Sequence, residues 1–336
     1  MVTKYWFNLQ LEPMIQRLPY KTKQFFFVLI KISLLVMAFY FIYNKLSKNK
    51  DLSFNDFIQF LSKNDVFSLK SICFLVLLSI INWFFEILKW QKLVCFITKV
   101  SFTNALKQSL GALTVSLFTP NRIGDYGAKA LFFEGPLIKR VLLANLVSNL
   151  LQMLVTVLFG MIGMYLLSQK FPLPFQSNQL IILLILSLII VVSMVWMLKR
   201  NHFKIKRFGL ENLVLFFKNL PKKSLYLGFI FSFIRYAFFS FQYYYLLILF
   251  NVDIGYFEAM TIISSIYLIS SIIPSIMILD VVIKAGISVY LFSLIGVNEL
   301  IVLNTVTCMW ILNFVLPSIL GSYFILEFKL PKNKTC

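Results

Sequence analysis

Charged residues at a break in an apolar stretch are the groups most able to do chemistry in this sequence. The stretch 104–134 is interrupted at residues 119–121, where Thr119 and Pro120 suit the start of a helix. We expect Arg122 in the first turn of that helix, with Asp125 and Lys129 one and two turns on. Free backbone N–H groups together with an arginine favour binding of phosphate. The alternative is that these charges only neutralise one another and hold the fold.

A second apolar stretch, 257–297, repeats part of this pattern. It breaks at residues 274–275, and Pro274 is followed by Asp280 and Lys284 in the spacing Asp-x-x-x-Lys-Ala that the first break also shows. An acid four residues before a lysine favours an ion pair on one helix face, which lowers the cost of charge in an apolar setting. Paired broken helices in opposite halves are typical of inverted-repeat transporters. We therefore predict an inverted pseudo-repeat.

Arg235 lies near the middle of the apolar segment 224–250, too deep to reach the headgroups easily. We expect it to face the interior of the bundle and to join the polar centre at one of the breaks, the alternative being a purely structural buried pair. Its candidate partners are the few acids close to apolar segments: Asp280, Asp125 and Glu86. Gln242 follows seven residues later on the same helical face.

A polar stripe follows one face of the apolar segment 141–167. Its members recur with helical spacing and are Asn145, Ser148, Asn149 and Gln152. The stripe is interpreted either as hydrogen bonds between helices or as the lining of a hydrophilic path.

The composition fixes the class of protein that must position these groups. Hydrophobic residues make up 60% of the 336 residues and charged residues 13%, so a soluble globule could not cover its apolar surface. The same hydrophobicity excludes disorder. The net charge of +19 does not indicate nucleic acid, because the cations lie between apolar segments and so suit anionic lipid headgroups. The sequence predicts an all-α polytopic integral membrane protein.

Six apolar segments are long enough to cross a bilayer as single helices. They are 24–43, 71–90, 141–167, 179–198, 224–250 and 300–327. The two interrupted stretches form helical hairpins that either re-enter from one side or cross twice, and charge does not separate these alternatives. We take residues 1–336 as one membrane domain with halves 24–198 and 224–327.

The distribution of Lys and Arg predicts the orientation. With residues 1–23 in the cytoplasm, the inner segments hold 20 Lys or Arg and the outer segments 6. The most basic inner segment is the loop 199–223. Both termini are then cytoplasmic, in the inner membrane of a bacterium.

The residue types give little support for an enzyme that makes or breaks covalent bonds. The four cysteines show no paired spacing and the only histidine, His202, stands in a basic loop, so we expect no metal site and no Ser-His-Asp triad. Without a nucleotide-binding motif or an accessible carboxylate pair, we expect no cofactor and no catalytic residues. The protein is predicted not to be an enzyme.

Gly124 and Gly127 complete the first break, and without side chains they allow a headgroup or another helix to approach. The sequence Thr119-Pro120-x-Arg122-x-Gly124-Asp125 resembles the signature of the lysylphosphatidylglycerol synthase transmembrane region, or flippase-like, family, and the stretches around Arg235 and Pro274 are similar to it as well. The resemblance covers roughly residues 20–327. It implies a membrane domain that moves or accommodates lipids, often aminoacylated phospholipids or polyprenyl-linked material.

From the residues and the resemblance together we expect translocation of an anionic phospholipid or lipid-linked intermediate. The substrate-binding candidates are Thr119, Pro120, Arg122, Gly124, Asp125, Lys129, Arg235, Gln242, Pro274, Asp280 and Lys284. The synthase reaction is not expected, because no soluble synthase-like domain is present in the sequence. Two alternatives remain: a membrane-embedded lipid-modifying transferase, favoured if Glu86 and Asp125 meet at a cavity mouth, and a scaffold that recruits a cytoplasmic synthase.

Overall fold

The computed structural model describes residues 68–117, 119, 122–171, 216, 219–273 and 277–328, and all regular structure within these ranges is helical. The helices, numbered from the first one described, are α1 Leu69–Val94, α2 Phe102–Ser116, α3 Ile123–Ala130, α4 Gly135–Lys170, α5 Lys222–Leu249, α6 Tyr256–Ile272, α7 Met277–Ser293, α8 Glu299–Trp310 and α9 Leu316–Glu327. A π-helical turn, Ile311–Val315, joins α8 to α9. The predicted segments 24–43 and 179–198, Pro120, Pro274 and nearly all of the loop 199–223 lie outside these ranges.

Four helical segments are long and apolar enough to cross a membrane. They are Leu69–Val94, Leu137–Lys170, Lys222–Leu249 and Glu299–Glu327. Each corresponds to a predicted segment, within a few residues at each end. The prediction of an all-helical membrane protein is confirmed, and the chain is a multi-pass membrane protein.

Serine and asparagine side chains set where several helices begin. The hydroxyl of Ser68 accepts a hydrogen bond from the Ser71 amide at 3.3 Å ahead of α1, and Ser101 does the same for the Asn104 amide at 3.2 Å ahead of α2. Asn298 caps α8 through the Leu300 amide. These caps satisfy backbone donors that would otherwise lack partners at a helix start.

The helices stop at both predicted breaks. The first gap, between Ser116 and Ile123, contains residues 119–121, and the second, between Ile272 and Met277, contains residues 274–275. The short helix α3 follows the first gap, whereas α7 follows the second and is twice as long. Each break therefore ends a helix from one half of the chain and begins a new one.

The order of helices repeats along the chain. Helices α1, α2 and α3 begin 153 or 154 residues before α5, α6 and α7 respectively. The packing follows the same order: α1 lies against α5, α2 against α9, and α6 against α4. Helix α2 of the first half thus packs on the last described helix of the second half, and α6 of the second half packs on the last described helix of the first.

Glycines bring these helix pairs close together at corresponding places. A Cβ atom on Gly163 of α4 would collide with the Ser264 hydroxyl of α6. A Cβ atom on Gly321 of α9 would collide with the Leu110 carbonyl of α2. Ser264 follows Leu110 by 154 residues, the spacing of the helix starts. Small residues at such crossings let helix backbones approach, which stabilises packing in a membrane.

Candidate functional site

The first break is shaped by Thr119 and Gly124. The Thr119 hydroxyl accepts a hydrogen bond from the Gly124 amide at 2.8 Å, which satisfies one free donor of α3. A Cβ atom on Gly124 would lie 2.7 Å from that hydroxyl oxygen and 2.9 Å from the Val115 carbonyl oxygen. The lack of a side chain at Gly124 therefore leaves the space in which the Thr119 hydroxyl accepts this hydrogen bond. Gly127 has no atom within 4 Å of a Cβ position, so its surroundings are open.

Arg122 lies directly before α3, and the prediction that it falls in the first helical turn is wrong by one residue. Its φ angle of 57° is in the left-handed region, which costs about 1–3 kcal/mol for a residue with a side chain. An arginine in the printed sequence gives no sign of this backbone conformation. Its half-buried guanidinium has no hydrogen-bond or ion-pair partner in the described part of the chain. Arg122 is thus a cation in a strained backbone position that no described residue balances.

Asp125 and Lys129 form a closed cluster with a residue of α4. The lysine Nζ lies 3.2 Å from the Asp125 Oδ1 and donates to the Asn145 Oδ1 at 2.8 Å, while the Asn145 amide donates to Asp125 at 2.7 Å. The same Nζ lies 4.5 Å from the centre of the Trp90 ring. Lys129 is 2% exposed, so its charge is balanced by neighbouring groups of the protein and is not open to a ligand.

Arg235 is bound by residues of α1 and α4. Its Nη1 lies 2.7 Å from the Glu86 Oε2, its Nε donates to the Asn82 Oδ1 at 3.0 Å, and Nη1 also reaches the Gln152 Oε1 at 3.5 Å. Lys89 shares the same Glu86 oxygen at 2.7 Å. Of the three predicted acidic partners, the structure pairs Arg235 with Glu86. One carboxylate therefore balances two buried cations.

Gln242 belongs to a hydrogen-bonded chain that continues from Asn82. Its amide nitrogen donates to the Leu75 carbonyl at 2.9 Å and to the Ser79 hydroxyl at 2.8 Å, and its Oε1 accepts from Asn313 at 2.8 Å. Asn82 in turn donates to the Asn313 Oδ1 at 2.9 Å. Asn313 lies in the π-helical turn, a feature often found at functional sites. Gln242 is fully buried and ties α1, α5 and the turn together.

Asp280 and Lys284 form the ion pair of the second break. The Lys284 Nζ lies 2.6 Å from the Asp280 Oδ2, and both side chains are about a quarter exposed. The Phe314 ring lies 5.6 Å from the lysine Nζ. This pair matches Asp125 and Lys129 in sequence spacing, but its lysine is 24% exposed, whereas the Lys129 side chain is 3% exposed.

A cavity of about 310 Å³ is lined by described residues close to both breaks, among them Arg122, Ser271 and Asp280. Four of the predicted site residues line it, and all four are charged: Arg122, Arg235, Asp280 and Lys284. Asp125, Lys129 and Gln242 are not part of its lining; they are bound behind it or to one side. Thr119 and Gly124 are not in the lining either; their hydrogen bond shapes the segment that contains Arg122.

Other polar residues of the cavity were not predicted as site residues. They are Asn82, Gln152, Thr156, Tyr236, Tyr267, Ser270, Ser271 and Asn313. Ser270 and Ser271 stand close to the second break, in the last turn of α6, and this position is the signal that could have identified them. The polar stripe on α4 serves both predicted purposes. Asn145 and Asn149 hydrogen-bond to residues of α3, while Gln152 faces the cavity.

The titratable residues offer no arrangement for a metal ion within the described ranges, where groups of three His, Cys, Asp or Glu do not occur. The site is a cavity between long apolar helices, and its described lining residues are mostly polar and carry a net positive charge. Fold and site together define a multi-pass helical membrane protein with a cavity whose described lining has more cationic than acidic side chains.

The family follows from comparison with known proteins. The family model described as lysylphosphatidylglycerol synthase TM region matches residues 28–321, so the chain belongs to that family. This confirms the resemblance seen in the sequence and relates the membrane domain to lipid handling. No curated protein matches the chain.

Proposed function

We propose that this protein moves an anionic phospholipid or a lipid-linked intermediate across the membrane, with the headgroup phosphate in the cavity and the acyl or prenyl tails in the bilayer. The observation that carries the proposal is Arg122, a guanidinium without a counter-charge in the described residues, at a cavity of about 310 Å³ inside the helical bundle. An isolated charge among apolar helices is costly, so such a residue points to a function.

The cavity supports transport over the two alternatives. The transferase alternative is favoured if Glu86 and Asp125 meet at a cavity mouth, whereas neither lines the cavity: Glu86 is bound by Arg235 and Lys89, and Asp125 by Lys129 and Asn145. A scaffold that only recruits a synthase through its basic loop needs no hollow at Arg122. We therefore propose that the protein is not an enzyme, and that any cytoplasmic synthase partner is additional to transport.

We further propose that the two halves are an inverted pseudo-repeat with six full spans and two broken hairpins, with both termini in the cytoplasm of a bacterial inner membrane. The constant spacing of helix starts and the matched packing of Gly163 on α6 and Gly321 on α2 support the repeat. A half-turn that exchanges the halves would carry each of these contacts onto the other.

The two ion pairs suggest how such a repeat would work. Asp280 and Lys284 line the cavity, while Asp125 and Lys129 are sealed under Asn145 and Trp90. In an inverted repeat, exchanging the conformations of the two halves opens the first pair and seals the second. The headgroup site would then face the opposite side of the membrane.

The direct test is reconstitution in liposomes with a fluorescent phospholipid in both leaflets. A membrane-impermeant reductant quenches the outer leaflet at once, and transfer by the protein makes the inner leaflet quenchable too. We expect transfer by the parent protein and a loss of about tenfold or more in rate for Arg122→Gln, because the cation that attracts the phosphate is gone.

Arg140→Gln is the matched control, since Arg140 is an exposed arginine at the start of α4, away from the cavity. It should leave the rate unchanged. Equal rates for the parent and Arg122→Gln would contradict the site, and the absence of transfer of any anionic lipid by folded parent protein would contradict the function.

A further inference from the structure

The cations around the cavity outnumber the acids that can balance them. Lys284 is neutralised by Asp280 at 2.6 Å. Glu86 lies 2.7 Å from both Arg235 and Lys89, so that cluster keeps one positive charge. Asp125 and Lys129, one layer further back, cancel each other.

Arg122 adds a second positive charge. It has no ion-pair or hydrogen-bond partner anywhere in the described segments, and it lines the same cavity as Arg235. Two like charges in a low-dielectric setting repel each other, and no further acid among the described residues balances Arg122 or the excess charge of the Arg235–Glu86–Lys89 cluster. Among the described residues, the empty cavity therefore lacks two negative charges that would balance its cations.

On the basis of the proposed function, we propose that the cavity takes a lipid whose head ends in a phosphate monoester or a diphosphate, with two negative charges. Arg122 and the Arg235–Glu86–Lys89 cluster supply the two counter-charges. A phosphodiester head has one negative charge and leaves one cation unbalanced, whereas a phosphate monoester has about 1.5 to 2 negative charges at neutral pH. Zwitterionic and aminoacylated heads fit the excess of cations worst.

Hydrogen-bond donors at the cavity suit the same group. The guanidinium of Arg122 keeps all five of its N–H donors for a ligand, and a terminal phosphate has three oxygens that accept.

The test compares two lipids that differ by one methyl group and one charge. Full-length protein in nanodiscs of phosphatidylcholine is titrated with phosphatidic acid, a monoester, or with phosphatidylmethanol, the corresponding phosphodiester. We expect phosphatidic acid to bind about tenfold more tightly. In Arg122→Gln the ratio between the two affinities should fall to about one, because a single net cation remains. Arg140→Gln should keep the parent ratio.

A second variant, at Asp280, tests the same inference even if Arg122→Gln fails to fold. Asp280→Asn leaves Lys284 without its acid and raises the excess to three cations, so both lipids should bind more tightly than to the parent. Inorganic phosphate and diphosphate separate a lipid from a soluble ligand. If either binds as tightly as phosphatidic acid, the lipid assignment is overturned.

Equal affinities of the parent for phosphatidic acid and phosphatidylmethanol would overturn the inference. If both lipids are nevertheless transferred in liposomes, and Arg122→Gln slows that transfer, the proposed function holds without the preference for a doubly charged head. If neither is transferred, the proposed function fails as well.

Discussion

The Nε of Arg235 donates a hydrogen bond to the Oδ1 of Asn82 at 3.0 Å, and the two residues occupy equivalent places in the two halves of the chain. They are 153 residues apart, as are the first residues of α1 and α5, the helices that carry them. Residues related by a two-fold axis touch each other only close to that axis. In the proposed pseudo-repeat, the cationic centre of the cavity therefore lies on the axis, where both halves contribute equally.

Glu86 should be the most sensitive carboxylate for stability. Glu86→Gln leaves Arg235 and Lys89 buried without their shared acid, and removal of one partner from a buried ion pair costs about 3–5 kcal/mol. We expect a large fall in the thermal unfolding midpoint in detergent. Glu134→Gln, at an exposed position, should change it little.

A double variant identifies the cause of that loss. Adding Lys89→Met to Glu86→Gln removes one of the two orphaned cations, and it should restore part of the lost midpoint. If the double variant is less stable than Glu86→Gln alone, charge imbalance is not the reason for the loss.

The sequence allowed the local features of the site to be predicted. Both breaks, the two Asp-x-x-x-Lys pairs and the inward position of Arg235 depend on spacing and on the cost of charge among apolar residues, which the sequence displays directly. The left-handed backbone of Arg122 could not be predicted, because it depends on how Thr119 and Gly124 pack against the end of α2.

Contacts between helices that are far apart in the sequence also could not be predicted. Gln242 was predicted as a ligand for substrate from its place on the face of Arg235, but its partners Ser79 and Asn313 come from helices more than 70 residues away. The choice of Glu86 over Asp280 as the partner of Arg235 likewise depends on the packing of α1 against α5. A single sequence contains no direct record of such packing.

Gly124 and Gly127 give a matched pair of substitutions in one short helix. Gly124→Ala forces a Cβ against the Thr119 hydroxyl and the Val115 carbonyl, and overpacking of this kind costs about 1–3 kcal/mol. Because the strain falls on the segment that positions Arg122, we expect slower lipid transfer as well as a lower unfolding midpoint. Gly127→Ala meets open space and should stabilise the helix by up to about 1 kcal/mol. Equal effects of the two substitutions would contradict the described packing.

The cavity should admit water and small hydrophilic reagents. In a background with the four native cysteines replaced, Ser271→Cys places a thiol in the cavity lining, and Ser148→Cys places one on a fully buried position of α4. A water-soluble maleimide needs thiolate and access, so we expect labelling at position 271 at least about tenfold faster than at 148. Mass spectrometry of the intact protein measures both. Equally slow labelling would show that the cavity is closed to water.

Gly163 and Gly321 test the pseudo-repeat itself. Each allows a close crossing of helices at a corresponding place in the two halves, on Ser264 of α6 and on Leu110 of α2. If the halves are equivalent in packing, Gly163→Ala and Gly321→Ala should lower the free energy of unfolding by similar amounts, about 1–3 kcal/mol each. Because the two crossings share no partner, the double variant should lose about the sum. Gly286→Ala, with no atom within 4 Å, is the control and should cause no loss. A large loss at one crossing with none at the other would show that the halves pack by different rules, and the repeat would then be one of sequence spacing alone.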